Sequence, residues 1–191
     1  MQTVGYKLKP FTVYGVKPGV LTPDDAFAEI NETSFAGKWK VIVFYPKDFT
    51  FVCPTEIVAY DKLVKDFEDR DAVLMVGSTD NEFCKLAWRN AHEDLKKTNH
   101  WSFGDTKKMY SGDWYDDESR RTGLAEQLGV LHSNGVALRA TFIVDPDNVI
   151  QHVTCNNLSV GRSPEETLRV LDALQTGALC PCNRSVGGDT L

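Results

Sequence analysis

The sequence lacks the features of a membrane protein, a nucleic-acid-binding protein or a secreted one. No run approaches the roughly 18 apolar residues that a membrane-spanning helix needs. The first ten residues have no apolar core of the signal-peptide kind. Acidic residues outnumber basic residues by 27 to 21, and the net charge of -6 argues against nucleic acid or an anionic membrane as the main partner. We therefore expect a cytoplasmic protein with neither of these partners.

Histidine and cysteine are scarce, which limits the metal and thiol chemistry open to the chain. The cysteines are Cys53, Cys84, Cys155, Cys180 and Cys182. The four histidines are scattered along the sequence, so no Cys–His pair can be inferred. An odd number of cysteines without a secretory segment indicates reduced thiols, some of them in a redox cycle, rather than a structural disulfide framework.

What the chain does contain is an alternation of apolar runs and helical patterns over 191 residues, enough for one compact domain. The predicted strands are 40–45, 72–78, 140–144 and 149–153, the last two forming a hairpin. The predicted helices are 54–68, 81–96, 118–128 and 163–174. Strands separated by helices, with one terminal hairpin, predict an α/β sandwich around a mixed sheet.

The other segments are less regular. Residues 11–14 are predicted as a short strand and residues 22–30 as one short helix. Aromatic residues among Gly, Ser and Asp predict a long loop over 98–117, with an interaction surface as the alternative. No repeat or linker divides the chain, so we expect a single domain over 1–191. Its flexible tail, about 177–191, carries the last two cysteines.

The stretch PKDFTFVC at 46–53 joins the apolar run at 41–45 to a helical pattern. Pro54 suits the first helical position because it lacks an N–H, and Glu56 places an acid in the first turn. Cys53 therefore faces unpaired N–H groups and the positive end of the helix dipole, which both favour the thiolate. The alternative is a small buried hydrophobe. Because one helix end supplies only about 1 kcal/mol, a nucleophilic thiolate needs a second cation.

The motif Pro46-x-x-x-Thr50-x-x-Cys53 within FYPKDFTFVCPTEI resembles the active-site motif of the peroxiredoxins. The stretches RATFIVDPDNVIQHV and VGRSPEETLRVLDALQTGALCPCN resemble its typical two-cysteine branch, of the alkyl hydroperoxide reductase C type. The likeness covers roughly 39–97 and 124–183. It implies a thioredoxin-like α/β fold, with a mixed central sheet flanked by helices, and reduction of hydrogen peroxide and organic hydroperoxides without a cofactor or metal.

The resemblance implies a role for each motif residue. Cys53 would attack the peroxide O–O bond and become a sulfenic acid. Thr50 would orient the peroxide through its hydroxyl, and Pro46 would stiffen the loop and shield the site from water. Arg139 matches the family's active-site arginine and would favour both the thiolate and the negative charge on the leaving oxygen. Taken singly, Thr50 and Pro46 are also compatible with loop structure, and Arg139 with a surface ion pair.

Four more residues match positions around the family's site. Glu56 and Arg162 occupy positions that in the family form a supporting ion-pair network, and the alternative is a helix-start acid and a solvated arginine. Trp39 and Trp88 resemble aromatic positions packed near the site, and we interpret both as core residues.

The resemblance also implies a way to return the sulfenic acid to a thiol. Cys180 matches the family's resolving cysteine, which implies a Cys53–Cys180 disulfide between two subunits of a homodimer, itself assembled into a higher ring. An external reductant would open this disulfide. The candidates are thioredoxin, a dedicated dithiol partner and a flavoprotein reductase.

The remaining cysteines allow more than one interpretation. Cys182 completes a Cys-x-Cys pair, which resembles a variant tail whose second thiol passes the disulfide outward. A zinc site is the alternative, but the chain has no second ligand pair with zinc-like spacing. Cys84, on a helical face, and Cys155, at a strand end, are interpreted as buried or bystander thiols.

Two other function classes compete with the peroxidase. A thioredoxin-like disulfide oxidoreductase would need a Cys-x-x-Cys pair at the helix start, but position 56 is Glu. A chaperone-like assembly without peroxidase activity is the other class, since family members form rings. The sequence departs from the family at 98–117, which does not match the usual short loop, and at Arg184, where relatives often carry Trp.

Overall fold

The structure is a computed structural model, and it describes residues 1–106 and 123–191. The strands are Thr12–Val16 (β1), Phe27–Asn31 (β2), Trp39–Phe44 (β3), Ala72–Ser78 (β4), Trp101–Gly104 (β5), Arg139–Val144 (β6) and Ile150–Asn156 (β7). The helices are Cys53–Asp61 (α1), Val64–Glu68 (α2), Glu82–Ala91 (α3), Leu124–Gln127 (α4) and Pro164–Gln175 (α5). Single 3₁₀ turns occupy Pro23–Asp25 and Leu95–Lys97.

The strands form one mixed sheet in the order β2-β1-β5-β4-β3-β6-β7. Strand β3 runs parallel to β4 and antiparallel to β6, and β7 forms the outer edge beside β6. Successive side chains of β3 alternate between the two faces, as a strand requires. Ile42 and Phe44 enter one core with Phe142, whereas Val41 and Val43 enter a second core that also holds residues of α1 and α5.

The topology brings three segments to one edge of the sheet. Strands β3 and β4 are parallel, so their carboxyl ends lie side by side, and the 45–52 segment leaves from the end of β3. Strand β6 runs the other way, with Val43 paired to Thr141. Its first residue, Arg139, therefore lies at the carboxyl end of β3, where α1 begins.

The predicted strands at 40–45, 72–78, 140–144 and 149–153 are confirmed, as is the hairpin between the last two. Residues 11–14 fall largely within β1. Helix α5 begins as predicted, because the Ser163 hydroxyl accepts a hydrogen bond from the Glu166 N–H. Within the described residues, no helix is long and apolar enough to cross a bilayer.

Two helix predictions ran too long. The 54–68 helix is broken into α1 and α2, since Leu63 leaves the helical conformation with φ -100° and ψ 7°. The 81–96 helix ends at Ala91, because His92 is extended, and only a 3₁₀ turn follows it. Asn81 caps the start of α3 by accepting a hydrogen bond from the Cys84 N–H.

The predicted helix at 22–30 was wrong. Only a 3₁₀ turn forms at its start, and the rest is strand β2, which pairs antiparallel with β1 from Val16–Phe27 to Thr12–Asn31. Pairing with an available edge strand outweighed the weak helical spacing of a few apolar residues.

The loop predicted at 98–117 was wrong in its first part, where Trp101–Gly104 forms β5 between β1 and β4. This strand is short and partly polar, so no apolar run in the sequence indicates it. Buried Arg89 donates hydrogen bonds to the Ser102 hydroxyl within the strand and to the His100 carbonyl just before it. Two predicted stretches lie outside the described residues, namely 107–117 of this loop and 118–122 of the predicted 118–128 helix. Helix α4 covers part of what is left of that predicted helix.

Candidate active site

Cys53 is the first residue of α1, at the predicted strand-to-helix junction. Its side chain is buried, with 1% of the residue exposed. Pro54 follows it in the first turn, and Val52 before it makes no side-chain cap. The thiol therefore stands at the positive end of the helix, out of bulk water, an environment that favours a charged sulfur only if a cation is close.

Arg139 supplies that cation. Its Nη1 lies 3.6 Å from Cys53 Sγ, and the side chain is buried at the start of β6. Its Nε donates a 2.7 Å hydrogen bond to the Leu158 carbonyl, and Nη1 also donates a 2.5 Å hydrogen bond to Glu56 Oε2. These two anchors fix the guanidinium plane against the sulfur.

Glu56 is a buried acceptor between two arginines. Its Oε1 accepts hydrogen bonds of 2.9 Å from both the backbone N–H and Nε of Arg162, and Oε2 accepts from Arg162 Nη2 at 3.2 Å and from Arg139. Only 2% of the Arg162 side chain is exposed, so the alternative of a solvated arginine does not hold. The three residues form the ion-pair network that the resemblance implied.

The charges in this network keep the Glu56 carboxyl ionised. Burial raises the pKa of its carboxyl, but the hydrogen bonds and charge of Arg162, with the charge of Arg139, outweigh burial and hold the pKa below its usual value. A carboxylate flanked by two guanidinium groups leaves one net positive charge beside Cys53.

We expect Glu56→Gln to destabilise the fold by about 3–5 kcal/mol at pH 7, because two buried arginines lose their counter-charge. Since the folded-state pKa of Glu56 is depressed, its contribution is fully present above about pH 4.3 and is lost as the pH falls through the folded-state pKa. Urea unfolding at a series of pH values from 7 to 3 should show the two stability curves converging in acid.

The matched control is Glu166→Gln, which breaks the exposed ion pair with Arg169. An exposed pair contributes at most about 1 kcal/mol, so this variant should stay close to the wild type throughout. Parallel curves for wild type and Glu56→Gln down to pH 3 would contradict the ionised, doubly paired Glu56.

Thr50 and Pro46 lie in the 45–52 segment that leads to Cys53. The Thr50 hydroxyl donates a 3.0 Å hydrogen bond to the Lys47 carbonyl, which leaves its oxygen lone pairs free to accept. Between the two, Phe49 adopts a left-handed conformation with φ 55°, which costs roughly 1–2 kcal/mol in a residue other than glycine. Its ring packs 5.7 Å from that of Trp88. The segment thus makes a tight turn supported from beneath.

The two tryptophans match their interpretation as core residues. Trp88 is buried on α3 and packs against both Tyr45 and Phe49. Trp39 is half-buried at the margin of the same core.

Two of the other thiols are held in their protonated form. Burial, and then the charge of Asp48 and a hydrogen bond to it, raise the pKa of the Cys84 thiol to about 11. Burial also raises the pKa of Cys155, against the opposing charge of Arg162. Thiols with raised pKa values are poor nucleophiles at neutral pH, as expected for bystanders.

The tail after α5 is pinned to that helix. Arg184 Nη1 lies 2.7 Å from Asp172 Oδ2, and the same oxygen accepts a hydrogen bond from the Gly187 N–H. Cys180 is half-buried, with Sγ 3.4 Å from the Thr176 hydroxyl oxygen, whereas Cys182 is exposed. None of the five cysteines forms a disulfide within the chain.

Cys180 lines an open groove on the surface of α5. The groove has a volume of about 270 Å³. Its other lining residues are Arg169, Val170, Ala173, Leu174 and Ala178. Another molecule can therefore approach the Cys180 sulfur from solvent.

A family model identifies the family of this chain. The model described as the AhpC/TSA family matches residues 4–153, which include α1 and β6. The chain belongs to the AhpC/TSA family. The tail with Cys180 and Cys182 lies beyond the matched range.

Curated AhpC/TSA relatives cover nearly the whole chain. Alkyl hydroperoxide reductase C of Mycolicibacterium smegmatis is 45% identical over 195 residues, which span 99% of this chain and 93% of that protein. Peroxiredoxin TSA1 of Saccharomyces cerevisiae is 39% identical over 176 residues, 88% of this chain and 83% of that one.

Solved structures of the family have the same fold. Mycobacterium bovis AhpC superposes with a TM-score of 0.81 at 42% identity, covering 96% of this chain and 98% of that one. The reduced 2-Cys peroxiredoxin of Plasmodium vivax gives a TM-score of 0.82 at 33% identity, covering 100% and 93%. The expected thioredoxin-like fold with a mixed central sheet is confirmed, and the chain is a thiol-dependent peroxidase.

Sequence reasoning missed one part of the site. Asp48, between Pro46 and Thr50, is buried and paired with buried Lys85 of α3. A lysine on a helix and an aspartate in a turn are ordinarily exposed, so nothing in the pattern singled them out. Only the placement of α3 under the 45–52 segment brings them together.

Proposed function

We propose that this thiol peroxidase reduces hydrogen peroxide and organic hydroperoxides through Cys53. The observation that carries the proposal is the 3.6 Å approach of Arg139 Nη1 to a buried sulfur at a helix start. The thiolate sulfur bonds to one peroxide oxygen as the O–O bond breaks, and the other oxygen takes a proton and leaves as water or alcohol. Cys53 becomes a sulfenic acid.

The neighbouring residues each have a separate role in the reaction of Cys53 with peroxide. Arg139 stabilises the thiolate and the charge that develops on the leaving oxygen, because its donors are already fixed toward the sulfur. Glu56 and Arg162 are positioning residues that hold Arg139 in place. Thr50 orients the peroxide through its free lone pairs, and Pro46 stiffens the turn that keeps water out.

Cys180 of a second copy of this chain resolves the sulfenic acid. Its thiol displaces the sulfenic oxygen as water and forms a Cys53–Cys180 disulfide, which an external dithiol protein then opens by exchange. The groove beside Cys180 gives access to that sulfur. The exposed Cys182 thiol lies two residues on, within reach to pass the disulfide outward. On this proposal, residues 1–191 are one domain with a resolving tail at 177–191.

Pairing of two copies is supported by the outer edge of the sheet, where β7 beyond Ile150 has no partner strand on its far side among the described residues. Strand β7 is a seven-residue outer strand whose residues after Ile150 are half-buried rather than covered. A long, uncovered edge strand favours pairing with another strand, and an antiparallel pair of β7 strands gives a two-fold homodimer. A 34% identical relative, Plasmodium yoelii Prx1a modified at its N-terminus, has a solved structure described as an artifactual octamer. We propose that such dimers assemble further into a ring.

A non-reducing gel after peroxide treatment tests the resolving residue. We expect a disulfide-linked dimer in the wild type and in Cys182→Ser, and its loss in Cys180→Ser, because only Cys180 bonds directly to Cys53. Cys155→Ser is the matched control and should keep the dimer. Loss of the dimer in Cys182→Ser alone would assign the resolving role to Cys182 instead.

The reductant is identified by peroxide turnover with one candidate at a time. Thioredoxin, a dedicated dithiol protein and a flavoprotein reductase are offered separately to the wild type and to Cys182→Ser. A reductant that needs the outward thiol will lose turnover with Cys182→Ser, whereas one that attacks the Cys53–Cys180 bond directly will not.

A further inference from the structure

A buried ion pair lies directly beneath the active-site segment. Lys85 Nζ is 2.7 Å from Asp48 Oδ1, and each side chain is 1% exposed. Lys85 also donates a hydrogen bond to the Ser78 hydroxyl, and its ammonium sits 5.0 Å from the centre of the Tyr45 ring. The Tyr45 hydroxyl donates a 2.7 Å hydrogen bond to the same Asp48 oxygen. The lysine on α3 is thus enclosed by partners from the 45–52 segment and from β4.

The backbone of the segment is held at the same point. The Asp48 N–H donates a 2.8 Å hydrogen bond to Asp80 Oδ2, which also accepts from the Ser78 hydroxyl. Asp48 lies two residues after Pro46 and two before Thr50. Both its side chain and its backbone therefore fasten the turn that places Thr50 and Cys53.

A pair of this kind is a poor device for stability alone. Removing two charges from water costs several kcal/mol per ion, and well-packed apolar side chains of the same volume often stabilise a fold equally well or better. The pair is, however, compatible with only one arrangement of the segment, since moving Asp48 away leaves Lys85 buried without its counter-charge. It therefore penalises any displacement of the segment.

The peroxide step and the disulfide step require different positions of Cys53. Attack on peroxide uses the buried thiol beside Arg139. A disulfide requires sulfur atoms about 2.05 Å apart, and a second chain cannot bring Cys180 to a sulfur that is 1% exposed unless the start of α1 and the segment before it move outward. An interaction that keeps the segment in its inward position therefore favours attack on peroxide and opposes disulfide formation.

We propose that Lys85 and Asp48 are positioning residues that hold the 45–52 segment in its peroxide-reactive arrangement and so set the balance between the peroxide step and the disulfide step. The inference deepens the proposed function, because it rests on Cys53 as the nucleophile and Cys180 as the resolving residue. Neither Lys85 nor Asp48 contacts the Cys53 sulfur in the structure. They act through the turn that lies between them and it.

The test follows both steps by stopped-flow tryptophan fluorescence. Trp88 is a built-in reporter, because it packs against Tyr45 and Phe49 in the segment that must move. The first phase scales with peroxide concentration and reports attack, and the second does not and reports disulfide formation. We expect Lys85→Met to slow the first phase by about tenfold or more and to speed the second several-fold.

The double variant Lys85→Met with Asp48→Asn removes the stranded charge as well. It should recover part of the lost rate of the first phase and slow the second phase again, relative to Lys85→Met alone. It also keeps the test decisive if Lys85→Met alone unfolds, since the double variant must still differ from wild type in the ratio of the two rates. Lys96→Met, which breaks the exposed pair with Glu93, is the matched control and should change neither phase.

Opposite shifts of the two rates distinguish positioning from general destabilisation, which has no reason to speed disulfide formation. An unchanged ratio of the two rates in both the single and the double variant would overturn the inference while leaving the proposed function intact. If Cys53→Ser still gave the first phase, the proposed function itself would fail. The two failures are therefore separate results.

Discussion

Cys53→Ser should reduce peroxide turnover to the level of buffer with reductant. A serine hydroxyl in the same place is not ionised at neutral pH, even beside Arg139, and it is a far weaker nucleophile toward the O–O bond than a thiolate. The substitution replaces sulfur by oxygen with only a small change of volume, so the fold should survive it. Turnover is measured as peroxide loss with a dithiol reductant in excess.

Cys84→Ser is the matched control for this experiment. Cys84 is half-buried and near the same segment, but its thiol has a pKa raised to about 11. The variant should therefore keep most of the wild-type turnover. Substantial turnover by Cys53→Ser, or its loss in Cys84→Ser, would mean that the reacting thiol has been assigned wrongly.

Arg139→Met should slow the reaction of the protein with peroxide by about 10²–10³-fold, the cost of removing one preorganised donor from a developing charge. The loss has two parts, because the guanidinium supports the thiolate before attack and the leaving oxygen during it. The second-order rate constant of the first fluorescence phase measures both together.

Arg139→Lys and Arg89→Lys form the control pair. Both arginines are buried, but Arg89 donates to the Lys17 and Val20 carbonyls and to β5 rather than to the site. Lysine keeps the charge and loses the planar fork, so Arg139→Lys should still react clearly more slowly than wild type, whereas Arg89→Lys should not. A rate for Arg139→Met within threefold of wild type would remove Arg139 from the mechanism.

The sequence indicated Cys53 for physical reasons that the structure supports. An apolar strand, a turn and a proline at the helix start define the place of a cysteine without any knowledge of the fold. Arg139 could not be found in the same way. It lies 86 residues further on, and only the antiparallel pairing of β3 with β6 brings it to Cys53, so at the level of sequence it depended on the resemblance.

Two features that the sequence failed to predict share one cause, which is burial of polar groups by distant partners. Strand β5 is short, and its polar Ser102 is tolerated in the interior because Arg89 donates a hydrogen bond to it. Lys85 and Asp48 are buried because each supplies the other's charge. Patterns of apolar residues do not report such pairs, since each member alone favours a solvent-exposed position.

The tail also has contacts that its amino-acid composition did not predict. Its glycine and small polar residues predicted a flexible segment, and it contains no helix or strand. Yet Arg184 ties it to Asp172 on α5, and Asp172 also pairs with Arg70. The irregular tail is therefore held to α5 by a specific ion pair that the composition of the tail did not indicate.

The central claim is that Cys53 is the thiol that peroxide oxidises first. It is tested most directly in the Cys180→Ser, Cys182→Ser double variant, which cannot resolve a sulfenic acid through its tail. One equivalent of hydrogen peroxide is added with a sulfenic-acid-trapping diketone, and the adduct is located by peptide mass spectrometry. We predict one adduct per chain, on Cys53, within the first turnover. An adduct on Cys84 or Cys155, or peroxide consumed at the wild-type rate with Cys53 unmodified, would contradict it.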